Sequence, residues 1–175
     1  MAGGARQFVL RWSGTRRQLL NCLLQRLLMT DGDVQILEWC NQIRQVSFEL
    51  HRFLKHGHLE KVYELGMVHR LRKIGLSVEQ QYRLSVYDED GAALGDYFAD
   101  LYVERSIIVE LKTCRLIASE HIAQVFGYLR ACRRKHALVI NFGASVLQVR
   151  KVALTTLFMC ILCSLFLCIL CKYCF

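Results

Sequence analysis

Proline is absent from all 175 residues, so no turn in the chain is stiffened by a ring-locked φ. Acids are absent from residues 1–29, which carry five arginines (Arg6, Arg11, Arg16, Arg17 and Arg26). Charge of either sign is absent from residues 152–171. The middle, residues 30–152, holds 17 basic and 15 acidic side chains, so it contributes only +2 to the net charge of +8. A nearly neutral middle removes global basicity as a reason to expect a nucleic-acid partner. Cys22, Cys40, Cys114 and Cys132 are scattered, which excludes a disulfide framework and indicates an intracellular, reducing compartment. The cluster Asp88-Glu89-Asp90-Gly91 lacks the spacing of a calcium loop and is read as a solvated turn. The length suits one domain with a substantial core.

What is present is organised around Asp100–Lys112, DLYVERSIIVELK. Two apolar runs, Leu101–Val103 and Ile107–Val109, flank the polar tip Glu104-Arg105-Ser106, the pattern of a β-hairpin. Pairing 103 with 107 sets 102 against 108 and 100 against 110. Opposed residues on one sheet face have Cβ atoms roughly 5 Å apart, so Asp100 comes beside Glu110. Period-two alternation adds Lys112 to that face and puts Leu101, Val103, Ile107, Val109 and Leu111 on the other, as a core stripe. Two carboxylates sharing a site repel unless a proton or cation intervenes. A hard cation such as Mg²⁺ relieves them through oxygen ligands, and a neighbouring lysine can orient water or stabilise developing charge. A solvent-facing strand with a Glu–Lys pair is the plainer alternative.

Three further elements stand in order around this core. Gly57-His58-Leu59-Glu60-Lys61-Val62-Tyr63 reads G-x-x-E-x-x-Y, Gln124-Val125-Phe126-Gly127-Tyr128 reads Q-x-x-x-Y, and Asn141-Phe142-Gly143 follows an apolar run. With Asp100 and Glu110-Leu111-Lys112, the set resembles the GxxExxY family of the PD-(D/E)xK nuclease superfamily over roughly residues 30–151. Ala99 stands where the superfamily's name has proline, and Lys55-His56 where a Pro-Gly turn is expected. The resemblance implies an α/β fold, a mixed sheet of four or five strands flanked by helices. It implies metal-dependent hydrolysis of phosphodiester bonds in DNA or RNA. Mg²⁺ or Mn²⁺ would be held by Glu60, Asp100 and Glu110, with the Leu111 carbonyl as an extra ligand. Lys112 would orient the attacking water; Gln124, Tyr128 and, as a helper, His121 would support the site or the substrate. A catalytically silent nucleic-acid- or protein-binding module on the same fold is the alternative, as is a membrane-tethered accessory protein.

Periodicity places the remaining elements. Residues 33–54 repeat Val34, Leu37, Ile43, Val46, Leu50 and Phe53-Leu54 on roughly one helical face. A second helix, about 58–74, has Leu59, Val62, Tyr63, Met67, Leu71 and Ile74 as its expected buried side and Gly75 as C-cap. Glu60 in its first turn suits the helix dipole. Strands are expected over about 80–87, 96–103, 107–112, 137–142 and 146–149, with a helix over 118–133 whose inward residues are Ile122, Val125, Phe126 and Leu129. Arg130, Arg133, Arg134 and Lys135 close that helix as a basic cluster suited to its C-terminal dipole.

Outside this domain lie a basic N-terminal extension, residues 1–29, and an apolar tail, residues 152–175. The extension has leucines at helical spacing and resembles an organellar transit peptide; a basic helix on an acidic surface or sequence upstream of a start at Met29 are the other readings. Val152–Cys171 is just long enough to span a bilayer as a transmembrane helix, which would make a tail anchor with the domain in the cytoplasm. Its cysteines (Cys160, Cys163, Cys168, Cys171, then Cys174) lack the loop a zinc site needs and could be acylated at a membrane edge. A frame or splice artefact is the plainer reading. Oligomeric state is not legible.

Overall fold

The computed structural model describes residues 30–154. The chain divides into two units at Gln35/Ile36, and the fold is that of the second. Among the described residues the order is α1 (Asp31–Leu54), α2 (Glu60–Lys73), β1 (Val78–Tyr87), β2 (Ala93–Val103), β3 (Ile107–Lys112), α3 (Ser119–Ala131), β4 (His136–Asn141) and β5 (Gln148–Ala153). The strands form one five-stranded sheet in the order β1-β2-β3-β4-β5. Only β3 and β4 pair in parallel, because a parallel return needs a long crossover, and α3 supplies it.

The expected hairpin register is observed: Val103 pairs with Ile107, Tyr102 with Ile108 and Leu101 with Val109. Both sheet faces are covered. Leu101, Val103, Ile107, Val109 and Leu111 share a core with α1 and α2, through Ile43, Leu50, Met67 and Leu71. Tyr102, Ile108, Ala137 and Val139 share the other with Val125, Tyr128 and Leu129 of α3. A parallel pair buried on both faces reads as a continuous apolar run, and Ala137–Ile140 is one.

Several expectations are corrected. In α1, Val34, Leu37 and Phe53 are exposed and Ile43, Val46 and Leu50 buried. In α2, Leu59, Val62 and Ile74 are exposed, while Tyr63, Glu64, Met67, Val68 and Leu71 face inward. The inward stripe runs 63-67-71 and 64-68, so it is rotated from the one the apolar residues suggest, and it carries a carboxylate. β5 starts later than expected and runs through Ala153; Val152, assigned to the tail by its lack of charge, is buried in the α3-side core. A helix starting at Val152 is therefore excluded. No helix among the described residues is long and apolar enough to cross a membrane; the rest of the apolar tail and the basic extension lie outside them.

The Asn141-Phe142-Gly143 turn ties β4 to the segment after β3. The buried Asn141 amide accepts from the Cys114 and Gly143 N–H groups (both 3.0 Å) and donates to the Cys114 carbonyl (2.8 Å). Phe142 stacks on Tyr63 of α2 at 4.5 Å. A Cβ on Gly143 would meet the Thr113 carbonyl carbon and lie 2.6 Å from both the N and O of Cys114. Rigid backbone cannot make room as a side chain can. Gly143→Ala is expected to cost at least about 1–3 kcal/mol, measured as a lower urea midpoint at unchanged m-value. An unchanged midpoint would show that the turn yields freely.

Candidate active site

β2 and β3 part where the hairpin reaches its open end. Their pairing stops at Leu101–Val109, so Asp100 and Glu110 do not form the ladder pair that the register suggests. The Leu111 N–H instead donates to Asp100 Oδ2 at 2.8 Å. β3 meanwhile stays paired with β4 to its end, Leu111 opposite Ile140 and Lys112 opposite Asn141. The split places the carboxylate of Asp100, a residue inside β2, against the edge of β3 that a continued β2–β3 ladder would have occupied.

Glu110 and Lys112 share the α3-facing side of β3, as period-two alternation requires. Lys112 Nζ donates to Glu110 Oε1 at 2.6 Å, with the Lys112 side chain 17% exposed and that of Glu110 4%. Glu110 Oε2 is buried and has no hydrogen-bond partner among the described residues. Burial, then the charge of Asp100, pushes the Glu110 pKa up to about 7 despite Lys112. Burial also raises the Asp100 pKa, opposed by the Leu111 N–H and Lys112. For Lys112, burial disfavours the ammonium, but the Glu110 hydrogen bond and the surrounding carboxylates outweigh it and the pKa is raised.

Glu60 reaches the site from the first turn of α2. Its Oε2 accepts from the Thr113 hydroxyl at 3.4 Å, and its pKa is raised by burial and then by the charge of Asp100. It borders an open groove with His56, His58, Thr113 and Gly143. Tyr63, three residues on, is not a site residue. It is fully buried, donates to the Lys55 carbonyl at 2.6 Å and accepts from the His58 N–H at 3.3 Å. Those bonds hold the turn in which Lys55 takes a left-handed φ of 61°. The G-x-x-E-x-x-Y spacing thus acquires a physical reason: the tyrosine fixes the loop from which the glutamate-bearing helix starts.

On α3, Gln124 Nε2 donates to the Tyr128 hydroxyl. Tyr128 is buried, and burial followed by the Glu110 charge pushes its pKa up to about 12. Tyr128 thus lies within electrostatic range of Glu110, and Gln124 is bonded to Tyr128. His121 is placed otherwise: its Nδ1 accepts the Ala118 N–H at 3.1 Å and serves the helix start. The Leu111 side chain is in the core.

Sequence reasoning missed two residues, Glu64 and Gln81. Glu64 is 3% exposed and accepts from Lys61 Nζ (2.6 Å), Gln80 Nε2 (3.0 Å) and Gln81 Nε2 (3.0 Å). Gln81 Nε2 also lies 3.4 Å from Asp100 Oδ1. The available signal was the i, i+4 spacing from Glu60, which places Glu64 near the same helical face.

Among the described residues no three His, Cys, Asp or Glu side chains converge closely enough to hold a metal as they stand; one Glu110 oxygen is bonded to Lys112 and one Asp100 oxygen to the Leu111 N–H. The donor set still fits a hard divalent cation. It consists of carboxylate oxygens, and one of them, Glu110 Oε2, is buried and unpartnered. A mixed sheet that splits at a carboxylate–lysine cluster, flanked by helices on both faces, defines a nuclease-like α/β domain. The family model described as the PD-(D/E)XK nuclease superfamily matches residues 37–152, and the chain belongs to that superfamily. No curated protein matches the chain. Among solved structures, the crystal structure of SSO0001 aligns with a TM-score of 0.45 and 15% identity, covering 82% of this chain and 79% of that one.

The raised Glu110 pKa has a definite sign in stability. Between about 4.5 and about 7 the folded chain holds a proton on Glu110 that the unfolded chain has released. Stability of the metal-free protein therefore falls as pH rises through that window. The shift corresponds to a loss on the order of 3 kcal/mol. Glu110→Gln keeps the shape and a hydrogen-bond acceptor for Lys112. In chelator, its stability relative to the parent is expected to rise from pH 4.5 to pH 7.5 in urea melts. A difference that stays flat with pH would refute the buried, proton-holding Glu110.

Proposed function

We propose that the chain is a metal-dependent nuclease that hydrolyses phosphodiester bonds in nucleic acid, of the GxxExxY type within its superfamily. Members of the superfamily generally use divalent metals. Glu60, Asp100 and Glu110 would hold Mg²⁺ or Mn²⁺, with the Leu111 carbonyl as a further donor. The observation that carries this reading is the buried, unpartnered Glu110 Oε2 beside Asp100 and Lys112. When bound, the cation lowers the pKa of a coordinated water and neutralises charge on the phosphate.

The chain's own residues supply the rest. Lys112 is a charged donor held by Glu110, placed to orient the attacking water and to stabilise charge that develops on the phosphate. Asp100 is aimed by the Leu111 N–H. Gln124 and Tyr128 form the α3 wall and support Glu110 or a substrate group. The second reading is a non-cleaving binding module on the same fold. The observation in its favour is that Glu110 is paired with Lys112 and no three donors converge among the described residues.

Two variants of the full chain separate these readings. Asp100→Asn is expected to weaken Mn²⁺ binding and abolish cleavage of mixed DNA and RNA. Lys112→Ala is expected to abolish cleavage while Mn²⁺ binding persists or tightens, because a competing positive charge is gone. Each loss of rate should be on the order of 10²-fold or more. Gel cleavage assays run beside calorimetric titrations measure both. Cleavage by Asp100→Asn at the parent rate, or no cleavage by the parent with either metal, would leave the binding module in place of the nuclease.

A further inference from the structure

Asp100 is held from two sides. The Leu111 N–H on β3 takes Oδ2 at 2.8 Å. The other oxygen, Oδ1, faces the Gln81 amide of β1 at 3.4 Å. That amide is in turn anchored on Glu64 Oε2 at 3.0 Å.

Three observations set this second hold apart from an ordinary surface contact. First, Glu64 is buried, 3% exposed, on the inward face of α2. An ionised carboxylate is buried at high cost unless donors surround it. Lys61, Gln80 and Gln81 all donate to it, so its orientation is set by three independent bonds. Second, Gln81 has a φ of 48°. A non-glycine residue in that region is uncommon, costs on the order of 1–3 kcal/mol and persists where the surroundings over-determine it. Third, the β1–β2 register passes from Gln80–Leu101 to Tyr82–Ala99. Gln81 therefore stands across from Asp100, at the point where β2 leaves β3. The positive φ falls at the residue that interrupts the β1–β2 pairing, and one Gln81 amide there spans the buried glutamate and the Asp100 carboxylate.

We propose that Glu64 and Gln81 are positioning residues that hold the Asp100 carboxylate in the orientation in which it receives a divalent cation. Glu64 is the fixed anchor and the Gln81 amide the link. Neither is a ligand. The inference rests on the metal-site reading of Asp100, Glu110 and Glu60, and extends it to the groups that orient a ligand. Outer partners of this kind typically contribute 10–100-fold to metal affinity.

The test uses Gln81→Gly in the full chain, with Mn²⁺ alone as the probe. Glycine adopts a φ of 48° without the steric penalty of a side chain, and that relief offsets the loss of one of the three donors to the buried Glu64. Its thermal midpoint in chelator is expected to equal or exceed that of the parent, while its Mn²⁺ dissociation constant rises roughly tenfold or more. Glu64→Gln, which sets an amide donor against neighbours that all donate, should weaken Mn²⁺ binding too, with some loss of midpoint. Gln81→Gly binding Mn²⁺ as tightly as the parent, while Asp100→Asn binds it weakly, overturns the relay and leaves the metal site standing. If Asp100→Asn also binds Mn²⁺ as tightly as the parent, the metal-site reading fails and the relay with it. A Gln81→Gly protein that loses midpoint and affinity together also overturns it, because the residue would then be serving the fold.

Discussion

The hydrogen bond from the Leu111 N–H to Asp100 is the constraint on which the site depends. A strand edge needs a partner for each amide that is buried. In β3 that partner is β2 up to Val109 and then a side chain of β2, the Asp100 carboxylate. β4 holds the opposite edge of β3 without a break to Lys112, while the β2–β3 ladder stops at Leu101–Val109. Beside that point Glu110 and Lys112 share the α3-facing side of β3, Glu60 comes from α2 and Tyr128 of α3 is within electrostatic range. The cluster is thus a consequence of how the sheet ends, with its members on four different elements.

The same geometry explains why the site is electrostatically tense. Glu60, Asp100, Glu110 and Lys112 lie within electrostatic range of one another, and each of the carboxylates has its pKa raised by burial, with the charge of a neighbouring carboxylate adding to the shift. Lys112 relieves only part of this. Removing one partner of a buried pair leaves the other uncompensated, so the Glu110–Lys112 contact is a costly arrangement to keep for stability alone. Groups whose pKa values are displaced by burial and by specific partners are the usual mark of a functional site.

Much of this was legible in the sequence. The hairpin register followed from a three-residue tip and two β-rich runs, and period two then put Glu110 and Lys112 on one face. The apolar run Ala137–Ile140 announced a strand covered on both sides. The parts that were not legible were governed by backbone detail or by tertiary context. The end of the β2–β3 ladder depends on a side chain replacing a strand, which no periodicity encodes. The inward face of α2 is not legible because Leu59, Val62 and Ile74 are apolar but exposed, while the acidic residue Glu64 is buried among donors from Lys61 of the same helix and Gln80 and Gln81 of β1. Gln81 gives no hint in its residue type of a positive φ. Val152 reads as part of the uncharged tail because hydropathy alone cannot separate a last buried strand from an apolar segment beyond it. The role of Tyr63 became visible only with the loop it ties down.

The most direct test of the central claim is calorimetric titration of the full chain with Mn²⁺ at about pH 6.5, repeated in two buffers of different ionisation enthalpy. Metal ligands must be deprotonated to bind, and burial holds the Glu110 carboxyl at a pKa of about 7. Saturable binding accompanied by net proton release is expected, with the release abolished in Glu110→Gln. No saturable binding, or binding with the same proton release in Glu110→Gln, would contradict the assignment of the β2–β3 split as a metal site.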